Sequence, residues 1–145
     1  MFLKSVAYII LSDCHYTFYD VYLVMEKQWE IELYSDANGT CELADWLTKL
    51  KLSHRDKVLA WIDKLQEEGP LLPRPYADLL KDGIHELRVK VAHNQVRILY
   101  FFIFENRIVL THRFIKNTSK VPEKEIKRAQ NIRSEYIERS KNEIQ

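Results

Sequence analysis

The stretch from Ile84 to Lys120 constrains the fold of this 145-residue chain most. Three apolar, β-prone runs are separated by two turn-like gaps, Ala92-His93-Asn94 and Glu105-Asn106. In the first run His85, Leu87, Val89 and Val91 share one parity, and Ile84, Glu86, Arg88 and Lys90 the other. Because side chains alternate across a strand, that is an inside/outside pattern. The second run, Gln95–Phe104, is apolar on both parities, as in a central strand covered on both faces. The third, Arg107–Ile115, places Ile108, Leu110, His112 and Phe114 on one face of an ideal strand, and Val109, Thr111, Arg113 and Ile115 on the other. Gaps this short make antiparallel hairpins the expected connection.

The remaining elements arrange themselves around that sheet. Trp29–Tyr34 alternates apolar and acidic residues, a half-buried strand, and Ser35–Gly39 has turn chemistry. Leu43, Trp46, Leu47 and Leu50 make one apolar helical face within Cys41–Leu50. A second helix begins at Ser53, with Asp56 three residues on as an approximate capping box, and buries Val58, Leu59, Ile62 and Leu65. Gly69-Pro70 ends it. The proline-rich Leu71–Gly83 reads as a connecting loop, and Pro122–Lys141 as a charged helix with Pro at its first position. The fold class is therefore α+β: an N-terminal strand, an αα-hairpin, a three-stranded antiparallel sheet and a C-terminal helix, with the helices on one face.

Residues 1–24 stand apart, being apolar and aromatic, and Met25 opens a second plausible start. We expect residues 25–145 to form the domain and Met25 to be the natural initiator, with 1–24 an upstream extension. The run Val6–Leu11 is too short to span a membrane. Cys14 and Cys41 lack paired spacing, which fits a reducing, cytoplasmic setting better than a disulfide framework.

Charge divides between the halves. Residues 81–145 carry fourteen Lys and Arg against eight Asp and Glu, whereas residues 1–80 are net acidic. A polyanionic partner for the basic half is one reading and a solvated surface the other. Three glycines leave no room for a phosphate-cradling loop, and scattered histidines give no metal pattern, so neither cofactor nor metal is expected. Arg97 is the sharpest feature, because a guanidinium within an apolar strand is costly unless paired or facing a site. It is either a structural arginine bonded to a carboxylate such as Glu86 or a clamp presenting paired donors to phosphate, with Arg88 beside it. His112 is either a satisfied core histidine or a proton-transfer group, and Lys116 can offset charge on a phosphorane. His85 and His93 are secondary candidates.

The segments ELRVKV, QVRILYFF and IVLTHRFIKNTSKVPEKEIKRA resemble the RelE/ParE toxin superfamily. They are most similar to its HigB-like, phage-related branch, over about Trp29 to Tyr136. The resemblance implies a ribosome-dependent mRNA endoribonuclease of a type II toxin–antitoxin module. In that mechanism basic residues on the sheet stabilise a phosphorane, and no metal takes part. Carried over, it makes Arg97, Arg88, His112 and Lys116 catalytic. It gives Lys90, Arg113, Lys120, Lys124, Lys127 and Arg128 contacts to RNA, and implies a helix-turn-helix antitoxin, the ribosome and mRNA as partners. The chain departs from the pattern at Arg113, where relatives carry glycine, and at Asn117, where they carry a second lysine. A ParE-like gyrase inhibitor without catalysis, or an inactive relative that only binds its antitoxin, shares the same fold.

Overall fold

The computed structural model describes residues 29–144. The proposed start at Met25 and the preceding extension lie outside them. Five strands form one mixed sheet: β1 (Glu30–Leu33), β2 (Ala77–Lys81), β3 (Ile84–Val91), β4 (Asn94–Ile103) and β5 (Arg107–Ile115), in the order β1-β5-β4-β3-β2. Helices α1 (Glu42–Lys49) and α2 (Leu52–Glu68) follow β1, and α3 (Glu123–Glu143) closes the chain. The three expected antiparallel strands are present as β3, β4 and β5. The sheet is wider than expected at both edges.

At one edge β1 pairs parallel to β5, Glu30 with Arg107 through Leu33 with Leu110. At the other, the loop expected over Leu71–Gly83 contains β2, antiparallel to β3. The turn between them is Asp82-Gly83, both residues at positive φ (49° and 77°), which a two-residue hairpin with primed geometry requires. Three prolines immediately upstream hide this short strand.

The helices occupy both faces of the sheet, not one. On one face the αα-hairpin packs Leu43, Leu47, Val58, Ile62 and Leu65 against Leu87, Val89, Ile98, Tyr100, Ile108 and Leu110. On the other, α3 packs Ala129, Ile132 and Tyr136 against Ile84, Leu99, Phe101, Val109 and Phe114. Two covered faces explain why β4 is apolar on both parities. Each fully buried leucine or isoleucine in these layers contributes about 1.5–3 kcal/mol.

The alternation expected for β5 fails at one residue. Leu99 faces His112 while Tyr100 faces Leu110, so Thr111 is the extra residue of a β-bulge. Its hydroxyl lies 3.0 Å from the Leu99 carbonyl. The bulge reverses the parity. Ile108 and Leu110 face the hairpin, whereas Phe114 lies in the α3 layer.

Within the hairpin α2 starts one residue before the expected Ser53 cap, and no side chain caps it. The link to α1 is held instead by Arg55, whose guanidinium donates to the carbonyls of Leu47, Thr48 and Leu50. These carbonyls lie at the end of α1, where the helix leaves acceptors short of backbone donors, although Leu47 also accepts the Leu50 amide. Leu59, expected in the buried stripe, is 40% exposed. At the far end of α2, Gly69 (φ 51°) sits against Trp29, with no space for a side chain; its ideal Cβ would stand 2.2 Å from the indole nitrogen. Among the described residues no helix is long and apolar enough to cross a membrane.

Candidate functional site

Cross-strand register brings the basic residues together. Arg88 on β3 stands directly opposite Arg97 on β4, and Arg97 opposite Phe114 on β5. The next row outward holds Lys90, Gln95 and Lys116, Lys90 pairing with Gln95 and the Lys116 amide donating to the Gln95 carbonyl at 2.8 Å. By alternation all six lie on the face that α3 covers at its other end. The result is a basic patch flanking the Lys116–Pro122 connection into α3.

Behind this patch runs an alternating chain of charge. The Arg74 guanidinium holds Asp78 with both oxygens engaged, at 2.9 and 2.8 Å. Asp78 takes a terminal nitrogen of Arg88 at 3.1 Å, and Arg88 Nε donates to Glu86 at 2.8 Å. The second Glu86 oxygen lies 3.2 Å from Arg97 Nε. That contact is an ion pair whose N–H is not aimed at the oxygen, so neither atom has a hydrogen-bond partner among the described residues. Arg97 Nη1 donates to the Val96 carbonyl at 3.2 Å. Arg97 is 7% exposed and Glu86 1%.

Both readings of Arg97 therefore meet at one residue. It is salt-bridged to Glu86, as the structural reading requires. Yet among the described residues its Nη2, and Nη1 of Arg88, have no protein partner. Burial lowers the Arg97 guanidinium from its ordinary value, partly offset by Glu86 and reinforced by neighbouring Arg88. It stays a cation, since arginine starts so far above neutrality.

His112 lies one row deeper, fully buried beneath the first turn of α3. Its Nε2 is 2.8 Å from Glu125, and Nδ1 is 3.0 Å from the Thr111 hydroxyl. This ties β5 to the start of α3. Burial is the main force holding the imidazole below its ordinary pKa, with the Glu125 hydrogen bond opposing. The neutral ring with its proton on Nε2 donates to the carboxylate, and the single Thr111 hydroxyl proton is shared between His112 Nδ1 and the Leu99 carbonyl, each 3.0 Å away. With no exposed atom it cannot touch a substrate in this conformation.

A pH dependence follows with a definite sign. A histidine whose folded pKa is depressed binds its proton more readily in the unfolded chain, so acid favours unfolding. His85, half-buried against Tyr100 and Phe102, is lowered by burial too. Stability is fully present above the unfolded value of about 6.5 and falls as pH drops from there toward the folded pKa values. Thermal melts between pH 7.5 and pH 5 should show a falling midpoint, with a shallower slope in His112→Leu than in the parent.

The other candidates disperse. Arg113 faces the hairpin because of the bulge, its guanidinium 5.2 Å over the Trp46 ring. Arg128 is paired with Glu42. Lys120, Lys124 and Lys127 are exposed along the loop and the first turns of α3. His85 points to the hairpin face, and His93 is exposed in the β3–β4 turn. A separate cleft of about 220 Å³ lies between the later turns of α3 and β1. It is lined by Glu32, Tyr34, Arg107, Tyr136 and Arg139, whose charges largely answer one another: Arg107 Nη1 donates to Tyr136, which donates to Glu32. What the sequence reading missed in the main site is Asp78 with Arg74. They come from the segment read as loop, and only the recognition of β2 could have placed them beside Arg88.

No curated protein matches the chain. Residues 45–134, from α1 through the middle of α3, match the phage-derived Gp49-like proteins. That match spans more than half of the sequence and includes strands β2 to β5, with Arg88 and Arg97; the chain belongs to the phage-derived Gp49-like family, a toxin-like family.

Proposed function

We propose that this protein is the toxin of a type II toxin–antitoxin module and a ribosome-dependent mRNA endoribonuclease of the HigB-like kind. The observation that carries the reading is the cross-strand pair Arg88 and Arg97, each with one terminal nitrogen that has no protein partner among the described residues. Two planar guanidiniums side by side suit the two nonbridging oxygens of a phosphodiester.

In this reading the 2′-hydroxyl of mRNA attacks the adjacent phosphorus. The 2′-O–P bond forms as the P–O5′ bond breaks, and the 2′ proton leaves as the 5′ oxygen gains one. Arg88 and Arg97 hold the phosphate and take up charge as the phosphorane develops. Lys116, half-buried at the rim beside them, is the mobile cation within reach of that charge. His112 acts from behind, by anchoring α3 through Glu125, and not in proton transfer. Lys90, Lys120, Lys124 and Lys127 supply sequence-independent phosphate contacts to mRNA and ribosomal RNA. A helix-turn-helix antitoxin neutralises the toxin.

Primer extension on mRNA from cells induced for the protein, repeated with purified protein in the presence and absence of ribosomes, tests this directly. Discrete cuts that require ribosomes are expected. Inhibition of gyrase supercoiling with intact mRNA would overturn the nuclease reading in favour of a ParE-like poison.

A further inference from the structure

We propose that Glu86 is the positioning residue of the phosphate site: its buried carboxylate takes the Nε corner of both Arg88 and Arg97 and fixes the two guanidiniums as a pair. The inference rests on the nuclease reading for its kinetic consequence, but its geometric content stands without it.

Two arginines directly opposite in an antiparallel ladder repel, and unsupported they would splay apart. Glu86 lies two residues before Arg88 on the same strand, and so on the same face. One oxygen is 2.8 Å from Arg88 Nε and the other 3.2 Å from Arg97 Nε. Both guanidiniums are thus held at their Nε by one anion, and among the described residues one terminal nitrogen of each, Nη1 of Arg88 and Nη2 of Arg97, has no protein partner. Asp78 secures a second nitrogen of Arg88, and the Val96 carbonyl a second nitrogen of Arg97. At 1% exposure Glu86 cannot touch RNA itself. The Arg97 contact is the looser of the two and unaligned, which leaves that side chain room to tighten when an anion draws its terminal nitrogen outward.

The chain Arg74–Asp78–Arg88–Glu86–Arg97 also sets the charge of the site. Three cations and two anions leave one net positive charge, which answers the single negative charge of a phosphodiester. A residue that merely balanced charge would weaken RNA binding by its presence, and its removal would tighten binding and leave turnover intact. A positioning residue behaves differently: its removal leaves attraction in place and degrades the geometry on which the chemical step depends.

The test is Glu86→Gln, measured by cleavage of ribosome-bound mRNA and by binding of a 2′-deoxy analogue that cannot be cut. Turnover per folded molecule should fall roughly 10- to 100-fold while binding of the analogue stays within about threefold of the parent or tightens. Turnover within about twofold of the parent overturns the proposal. If Glu86→Gln does not fold, Arg97→Lys replaces it: the charge is kept but the Nε corner is lost, so cleavage should fall as far as in Arg97→Gln, and retained cleavage overturns the proposal. Nitrogen-15 NMR of the arginine Nε–H groups gives a readout independent of activity. In the parent, the Arg88 and Arg97 signals should exchange slowly with solvent, and both should be lost in Glu86→Gln. Rapid exchange in the parent overturns the clamp. Should the parent cut no RNA, the nuclease reading falls alone and the NMR result decides the clamp.

Discussion

Replacing Arg97 with alanine is expected to destabilise the protein by about 3–5 kcal/mol, because it strands the Glu86 carboxylate in the interior. Glu86 would keep Arg88 at 2.8 Å but lose the partner of its second oxygen. Urea denaturation reads the loss. The same substitution removes a phosphate donor and should lower mRNA cleavage by about 10²–10³, so one variant cannot separate fold from chemistry. The double variant Glu86→Leu, Arg97→Met can. Apolar replacement of a buried pair is often neutral or stabilising, so the double variant should recover most of the lost stability. It should remain inactive, since the guanidinium is gone. A double variant that folds and still cuts mRNA would show that Arg97 is structural alone.

Gly69→Ala should cost about 3–5 kcal/mol, from overpacking and from a backbone conformation that side chains disfavour. The added Cβ would meet the Trp29 indole, which packs edge-on against Phe102 at 5.0 Å. Trp29 immediately precedes β1, so its displacement loosens the parallel edge of the sheet as well. Gly39 is the control, with a positive φ of 80° but nothing within 4 Å of its ideal Cβ. Gly39→Ala should cost only about 1 kcal/mol. Equal losses for the two glycines in urea denaturation would mean that the Trp29 contact contributes nothing.

Much of the sheet could be read from periodicity alone. Ile84–Val91 alternates because one face packs on the hairpin while the other carries Glu86, Arg88 and Lys90. Gln95–Phe104 does not alternate because both faces are covered, yet the helices were expected on one face only, since periodicity within a strand does not say which helix covers which side. The bulge at Thr111 was invisible: threonine is an ordinary strand residue, and only the ladder across to Leu99 and Tyr100 reveals the extra one. That single residue decides that Arg113 leaves the basic patch and that His112 goes beneath α3. Strand β2 escaped because five residues behind three prolines carry little periodic signal, and with it went Asp78 and Arg74. The Arg97–Glu86 pair was named as one of two readings. Spacing alone could not show that salt bridge and free donor coexist on the same guanidinium.

The parallel pairing of Glu30 with Arg107 sets a timetable for the chain. Strands β2 to β5 are consecutive hairpins and can zip as each leaves the ribosome, whereas β1 is made first and must wait for its partner until β5 has emerged. Contacts of such sequence separation close late, because loop entropy must be met before pairing rewards it. The arginine-bearing strands β3 and β4 are already joined by then. The phosphate site is thus assembled on a sheet whose first strand is the last to dock.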